Sequence, residues 1–355
     1  MEDKPTVIVI CGPTASGKTK LGIEVANKIN GEIISADSMQ IYKDMDIGTA
    51  KPTMEERKQA VHHLIDFVSP DQRYSVSDYK KDATNEIRNI LKQKKTPIIV
   101  GGTGLYVNSL IYNIEYNEIK TDLNYRKKLN ELDNETLYKK AMEIDRQATE
   151  KISINDKKRI IRILEIYKST GKNKTELEKE SRKEPEFNYK IFVLSMDREL
   201  LYDRINKRVD KMINEGLIEE VKNLLEKYNQ FPTAMQGLGY KEVMYYLNGN
   251  CSKEEMIEKI KQETRRYAKR QLTWFRSYKN AVWLDASNKG NADIIINSID
   301  TKNVIMNWIN TKNSNINSMN TKNTIMNWTN AKNSKINSID TKDVVNYLLI
   351  LSNSN

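Results

Sequence analysis

The residues with the clearest chemistry are Gly12-Pro13-Thr14-Ala15-Ser16-Gly17-Lys18-Thr19, a complete G-x-x-x-x-G-K-[ST] loop. Such a loop points backbone N–H groups at a phosphate chain, and the N-terminus of the helix behind it favours negative charge. Lys18 supplies a neutralising cation, and the Thr19 hydroxyl is the expected ligand of a Mg²⁺ ion. Two other segments carry polar groups beside glycines or turns. Ser35-Ala36-Asp37-Ser38-Met39-Gln40-Ile41-Tyr42 offers a carboxylate at Asp37, suited to a general base or a Mg²⁺ ligand. An Asp in front of a helix also serves as an N-cap, and the residue types alone do not separate these roles. Gly101-Gly102-Thr103-Gly104-Leu105-Tyr106 lets a substrate approach the backbone and offers the Thr103 hydroxyl.

These segments need elements to hold them. The loop follows the apolar run Thr6-Val7-Ile8-Val9-Ile10 and precedes a helical pattern from Leu21 to Ile29. Glu32-Ile33-Ile34-Ser35 predicts a second strand and Thr96-Pro97-Ile98-Ile99-Val100 a third, with a helical stretch, Ser77 to Lys94, before it. This order is that of a parallel sheet flanked by helices, in which ligands bind beyond the carboxyl ends of the strands. The chemistry-bearing segments each follow a strand, so they are expected along one sheet edge. From about Glu115 to Pro185 strand signals vanish and the pattern is charged and helical. Ile191-Phe192-Val193-Leu194-Ser195-Met196 then returns to the sheet. Helices are predicted over Glu199 to Glu215, Leu217 to Tyr228 and Ser252 to Tyr278, and Ala281-Val282-Trp283-Leu284 is a candidate last strand.

The expected fold class is therefore α/β: a P-loop NTPase-like parallel sheet flanked by helices, with a helical insertion domain and a low-complexity repeat tail. The expected boundaries are 1–114 and 188–290 for the two parts of the core, 115–187 for the insertion, and 291–355 for the tail. In the tail, Ile296-Asn297-Ser298-Ile299-Asp300-Thr301-Lys302 recurs as Ile316 to Lys322 and as Ile336 to Lys342, rich in Asn, Thr, Ser and Lys. The near-identity of the copies reads as a duplication forming an appendage rather than a solenoid.

At 355 residues the chain has room for a full core. Its cysteines, Cys11 and Cys251, provide neither a disulfide framework nor zinc spacing. The start, Met1-Glu2-Asp3-Lys4-Pro5, lacks the pattern of a signal peptide. No apolar run approaches the ~18 residues of a membrane span. A cytoplasmic protein without membrane attachment is expected. The formal charge is +10. Basic residues concentrate between Lys151 and Lys174 and between Lys259 and Lys279, the latter interleaved with Tyr267, Trp274, Phe275 and Tyr278. Such stretches suit nucleic acid, although a solvated helix face has the same composition.

A phosphate loop alone does not name a reaction. The guanine signature Asn-Lys-x-Asp is absent, as is an apolar strand ending in the Asp-Glu pair typical of ATPases. A kinase of a nucleoside or small metabolite remains, as does a transferase that holds a leaving diphosphate. Six blocks in order decide the resemblance: Gly12 to Thr19, Asp37 to Tyr42, Asp46-Ile47-Gly48-Thr49-Ala50-Lys51-Pro52, His62-His63-Leu64-Ile65-Asp66, Gly101 to Tyr106, and Arg265-Arg266-Tyr267-Ala268-Lys269-Arg270-Gln271-Leu272-Thr273-Trp274-Phe275-Arg276. Together they resemble the bacterial tRNA dimethylallyltransferase (tRNA isopentenyltransferase) family over about Thr6 to Leu284.

The resemblance implies transfer of a dimethylallyl group from dimethylallyl diphosphate to N6 of adenosine 37 in the anticodon stem-loop of tRNA, with Mg²⁺. It implies catalytic roles for Asp37, Thr103 and Lys18, and diphosphate binding by Gly12 through Thr19 with Arg208. It also implies tRNA contacts at Asp37, Ser38, Met39, Gln40, Thr103, Arg126, Arg159 and Arg162. Arg204 and Arg208 lie four apart on one predicted helix, so both are candidates to face the diphosphate. The helix from Arg265 to Arg276 is expected to combine phosphate contacts with core packing. His62 and His63, read as adjacent residues on a helix, would not share a face and are expected to make structural hydrogen bonds. A monomer is expected. The chain departs from the family by continuing through the repeats, with Lys342 to Leu349 resembling a displaced terminal helix. A non-catalytic RNA-binding relative is the third reading, and it predicts loss of Lys18, Thr19 or Asp37, all of which are present.

Overall fold

A computed structural model describes residues 4–116 and 122–299. The later repeat copies and the segment Lys342 to Leu349 lie outside the described residues. The chain begins with β1 (Thr6–Cys11), α1 (Lys18–Ile29), β2 (Gly31–Ser35), α2 (Met54–Gln59), β3 (His62–His63), α3 (Val76–Lys92), β4 (Thr96–Gly101) and α4 (Gly104–Ile111). Five helices follow: α5 (Leu123–Glu131), α6 (Asn134–Ile144), α7 (Arg146–Thr149), α8 (Lys157–Thr170) and α9 (Lys174–Glu180). The remainder is β5 (Asn188–Ser195), α10 (Arg198–Asn214), α11 (Leu217–Lys227), α12 (Tyr240–Leu247), α13 (Lys253–Phe275), β6 (Val282–Asp285) and α14 (Asn291–Ser298).

The described strands form one sheet in the order β3-β2-β4-β1-β5-β6, and every pairing is parallel. Ile8 lies beside Ile98 and Ile10 beside Val100, so the β-branched runs of β1 and β4 pack side by side. Val7 through Cys11 are fully buried, as a strand covered on both faces requires. β2, β4 and β1 are neighbours, which brings the loops that follow them together at the carboxyl edge.

Local signals fix the helix starts. Thr53, Ser75 and Ser252 each accept an N–H from the third residue of the helix they precede, while that residue's carboxylate returns to the cap. Gly17, at φ 90°, turns the chain into α1 without a Cβ penalty. Residues 108–186 form a compact unit of their own, whose core is Leu129, Leu137, Ala141, Ile160, Ile161, Ile163 and Leu164. The rest of the described chain forms the other unit.

Two expectations change. His62 and His63 do not lie on a helix. They form β3, a two-residue strand held by Ile33 and Ile34 of β2. The expected side-chain bonds are present on this strand: His63 Nε2 lies 2.6 Å from Glu32 and Nδ1 3.1 Å from Glu86. The segment that opens the expected tail is also part of the fold. Ala292, Ile295, Ile296 and Ile299 are buried in the cluster that contains α1, and Lys28 bonds Asp293 at 2.8 Å. The first repeat copy thus begins inside the core.

Candidate active site

A cavity of about 520 Å³ opens at the carboxyl edge of the sheet. Thr14, Ala15, Gly17, Lys18 and Thr19 line it from the phosphate loop, and Asp37, Ser38, Met39 and Gln40 from the segment after β2. Gly101 and Gly102 contribute from the end of β4, and Arg208 from α10.

The loop's backbone is set by its glycines. Gly12 has φ 149°, and a Cβ there would come 2.7 Å from the Leu194 carbonyl. Pro13 has no N–H to offer a phosphate; its carbonyl instead accepts from Lys18 Nζ at 2.6 Å. Thr14 N–H donates to Gln271 Oε1 at 2.9 Å. The amides best placed for an anion are therefore those entering the first turn of α1, where no intrahelical acceptor exists. Desolvation lowers the Lys18 ammonium to about 8; Asp37 raises it and Arg208 lowers it further. Burial likewise lowers Arg208, and Asp37 opposes that shift. Arg208 Nη2 donates to the Thr49 carbonyl at 3.3 Å.

Asp37 closes a turn rather than a helix. Its Oδ1 accepts from Met39 N–H at 2.9 Å and from Gln40 N–H at 3.4 Å. Both turn bonds fall on one oxygen, which leaves Oδ2 for a substrate. Thr103 Oγ1 accepts from Ser38 N–H at 3.0 Å and approaches Ser38 Oγ at 3.3 Å. Thr103 N–H donates to the Ala36 carbonyl at 3.0 Å. The loops after β2 and β4 are thus bonded to each other. Gly101 permits this approach, since a Cβ there would lie 2.2 Å from the Ala36 carbonyl.

The blocks between these loops are structural. Lys51 is buried and bonds Asp66 at 2.8 Å, Asp46 at 2.5 Å and the Tyr42 carbonyl at 2.8 Å. Glu220 accepts the backbone N–H groups of Asp46, Ile47 and Gly48, at 2.7 to 3.1 Å, and the Tyr240 hydroxyl at 2.7 Å. This buttress carries Thr49 and Ala50, whose carbonyls receive Gln40 Nε2, both at 3.2 Å.

The profile of the family described as IPP transferase matches residues 40–278. The tRNA dimethylallyltransferase of Acetivibrio thermocellus is 52% identical over 299 residues, 82% of this chain and 96% of that one. The chain belongs to the tRNA dimethylallyltransferase family. The corresponding enzyme of Thermoanaerobacter sp. (strain X514) is 53% identical over 285 residues, 78% of this chain and 90% of that one. The crystal structure of the tRNA isopentenylpyrophosphate transferase of Bacillus halodurans matches with TM-score 0.64 at 40% identity, over 86% of this chain and 98% of that one. A eukaryotic dimethylallyltransferase solved in snapshots acting on tRNA matches with TM-score 0.68 at 31% identity, over 89% of this chain and 81% of that one.

Within this dimethylallyltransferase fold the sequence-derived site residues divide. Thr14, Ala15, Gly17, Lys18, Thr19, Asp37, Ser38, Met39, Gln40 and Arg208 share the cavity. Gly12, Pro13 and Ser16 shape the loop behind it, and Ser16 is 1% exposed. Thr103 stands outside the lining, bonded to Ser38. Arg204 is exposed on α10 and does not line the cavity with Arg208, so the expectation that both could face one ligand does not hold. Arg126, Arg159 and Arg162 belong to the helical unit. Arg126 pairs with Glu165 through Nε at 2.5 Å and Nη2 at 2.8 Å. Arg162 lies 3.7 Å from Glu165, and Arg159 pairs with Asp156.

Sequence reasoning missed the cavity's other wall. Tyr267, Arg270 and Gln271 of α13 line it, as do the apolar side chains of Ile205, Val209, Met212 and Ile260. The basic character of α13 hid the signal, which was the spacing of Tyr267, Gln271 and Trp274 on one helix face.

Proposed function

We propose that this chain transfers the dimethylallyl group of dimethylallyl diphosphate to N6 of adenosine 37 in tRNA, releasing diphosphate. The observation that carries the reading is one cavity holding two unlike walls. A phosphate loop with Lys18 and Arg208 lies on one side, and Met39, Ile205, Val209, Met212 and Ile260 add an apolar lining suited to a five-carbon tail. A kinase acceptor gives no reason for that apolar lining.

In this reading the diphosphate lies on the first-turn amides of α1 with Lys18 and Arg208 beside it. The C1–O bond breaks, and its electron pair leaves with the diphosphate. The N6 lone pair forms the new C–N bond, and the N6 proton passes to Asp37 Oδ2. Each preorganised donor to the departing charge is worth roughly 3 kcal/mol. Thr103 acts through Ser38 to hold the Asp37 turn. The adenine enters by leaving its stack, at a cost of a few kcal/mol that pocket contacts offset.

Mg²⁺ suits the donors present. Thr19 is an oxygen donor in the cavity lining, and Ser35 Oγ, in the same lining, is buried without a hydrogen-bond partner. Few protein oxygens plus phosphate and water is the usual Mg²⁺ set. Bound there, the ion would supply further neutralisation of the diphosphate. The acceptor tRNA would meet the basic helical unit through Arg159 and Arg162, and the chain would act as a monomer in the cytoplasm. Among the described residues no helix is long and apolar enough to cross a membrane.

The test is transfer of labelled dimethylallyl from its diphosphate to unmodified tRNA with Mg²⁺, beside an assay for ATP turnover. Label on tRNA without ATP consumption is expected. ATP consumption with a small acceptor and unlabelled tRNA would replace this reading with a kinase.

A further inference from the structure

Gln271 takes part in no step above, yet it touches both halves of the site. Its side chain is buried on α13. Oε1 accepts from Thr14 N–H of the phosphate loop at 2.9 Å, and Nε2 donates to the Gly102 carbonyl of the turn after β4 at 2.8 Å. One amide therefore spans the loop proposed to hold the leaving group and the turn that carries Thr103. Glycine at 102 makes room for it, since a Cβ there would lie 2.3 Å from Gln271 Nε2. The residues above and below it on the same helix face serve the same turn. The Tyr267 hydroxyl interacts with Thr103 and with Gln271 itself. The Trp274 ring covers Gly104, where a Cβ would come 2.3 Å from it.

We propose that Gln271 is a positioning residue for the transfer step, setting the separation between the donor loop and the acceptor turn. The inference rests on the transferase reading. Reacting atoms must be held within about 3–3.5 Å, and a misplacement of about 1 Å costs on the order of 10²-fold. An amide is the side chain that meets both partners. A carboxylate accepts from Thr14 N–H but repels the Gly102 carbonyl, and an aliphatic chain bonds neither.

The experiment compares Gln271→Leu, Gln271→Glu and the wild-type chain in the labelled-transfer assay. kcat and KM are resolved separately for donor and tRNA, with a melting curve for each protein. Gln271→Leu is expected to lose about 10–100-fold in kcat, with both KM values within about threefold, at a temperature well below its melting transition. Gln271→Glu is expected to recover relative to wild type as pH falls, because a protonated carboxyl both accepts from Thr14 and donates to Gly102. A purely structural Gln271 would lower the melting temperature and leave kcat within twofold, which would overturn the proposal. So would a loss confined to KM, or a Gln271→Glu to wild-type ratio that stays flat with pH. Absence of transfer by the wild-type chain is a separate outcome that overturns the transferase reading and this inference with it.

Discussion

Lys18 and Arg208 hang from backbone carbonyls, whereas Arg126, Arg159 and Arg162 of the helical unit are paired with carboxylates. Lys18 donates to Pro13 and Arg208 to Thr49, and among the described residues neither forms a salt bridge. Glu165, 3% exposed as a side chain, takes Arg126 in a fork and lies within ion-pair reach of Arg162, while Asp156 takes Arg159. A carbonyl orients a cation without cancelling its charge; a carboxylate does both. The cavity therefore concentrates positive potential in a poorly hydrated place, with Asp37 the leading group that favours the Lys18 charge. The helical unit spreads weaker potential over a surface where salt screens it. The first arrangement suits a small ligand of high charge density, the second a large polyanion that makes many modest contacts.

The largest test of the contrast is Asp37→Ala. A general base contributes about 10²–10⁴-fold, so turnover should fall by that order while tRNA binding, measured by filter retention, persists. Unchanged turnover would remove Asp37 from the chemistry. Lys18→Met comes next, with transfer reduced about 10²–10³-fold. It should also change stability in a defined direction. The folded-state ammonium titrates near 8 against 10.5 for the ordinary group. Between those values the unfolded chain binds more protons, so this group makes wild-type stability rise with pH across that window. At pH 7 it opposes folding, and Lys18→Met should melt about 1–3 °C higher. A lower melting temperature in the variant would mean the carbonyl bond outweighs the cost of desolvation.

How much of this was legible in the residues depends on how local the cause is. The glycines of the phosphate loop and the strands before Asp37 and Gly101 declare themselves in a few consecutive residues, and their shared edge follows from parallel topology. β3 did not, because two residues carry no period and the strand exists only through Ile33 and Ile34. Arg204 and Arg208 have the same type and a helical spacing, and only the packing of α10 separates them. Gln271 was hidden because its partners lie 257 and 169 positions away. At the start of α14 the sequence carries two signals that conflict. Ala292, Ile295, Ile296 and Ile299 have the i, i+3, i+4, i+7 spacing of a buried helix face, whereas the Asn-rich repetition that begins there has the composition of an appendage.

The helical unit should respond more gently, and in both directions. Arg159→Ala with Arg162→Ala should weaken tRNA binding about tenfold and reduce the slope of log K against log salt by about 1–2, with kcat at saturating tRNA unchanged. An unchanged slope would place the polyanion elsewhere. The smallest effect follows from the carboxylates themselves. If Asp156 holds Arg159 at the cost of its charge, Asp156→Asn should release that charge while keeping an acceptor for the Arg159 backbone N–H, which Asp156 Oδ1 now receives at 3.2 Å. Asparagine is as good an N-cap as aspartate, so α8 should start at the same place. tRNA affinity should then rise about two- to threefold at low salt, within the range of a surface ion pair, and the gain should fade as salt increases. A fall in affinity would mean that Asp156 aims the guanidinium at its phosphate, and that orientation outweighs compensation on this face as it does in the cavity.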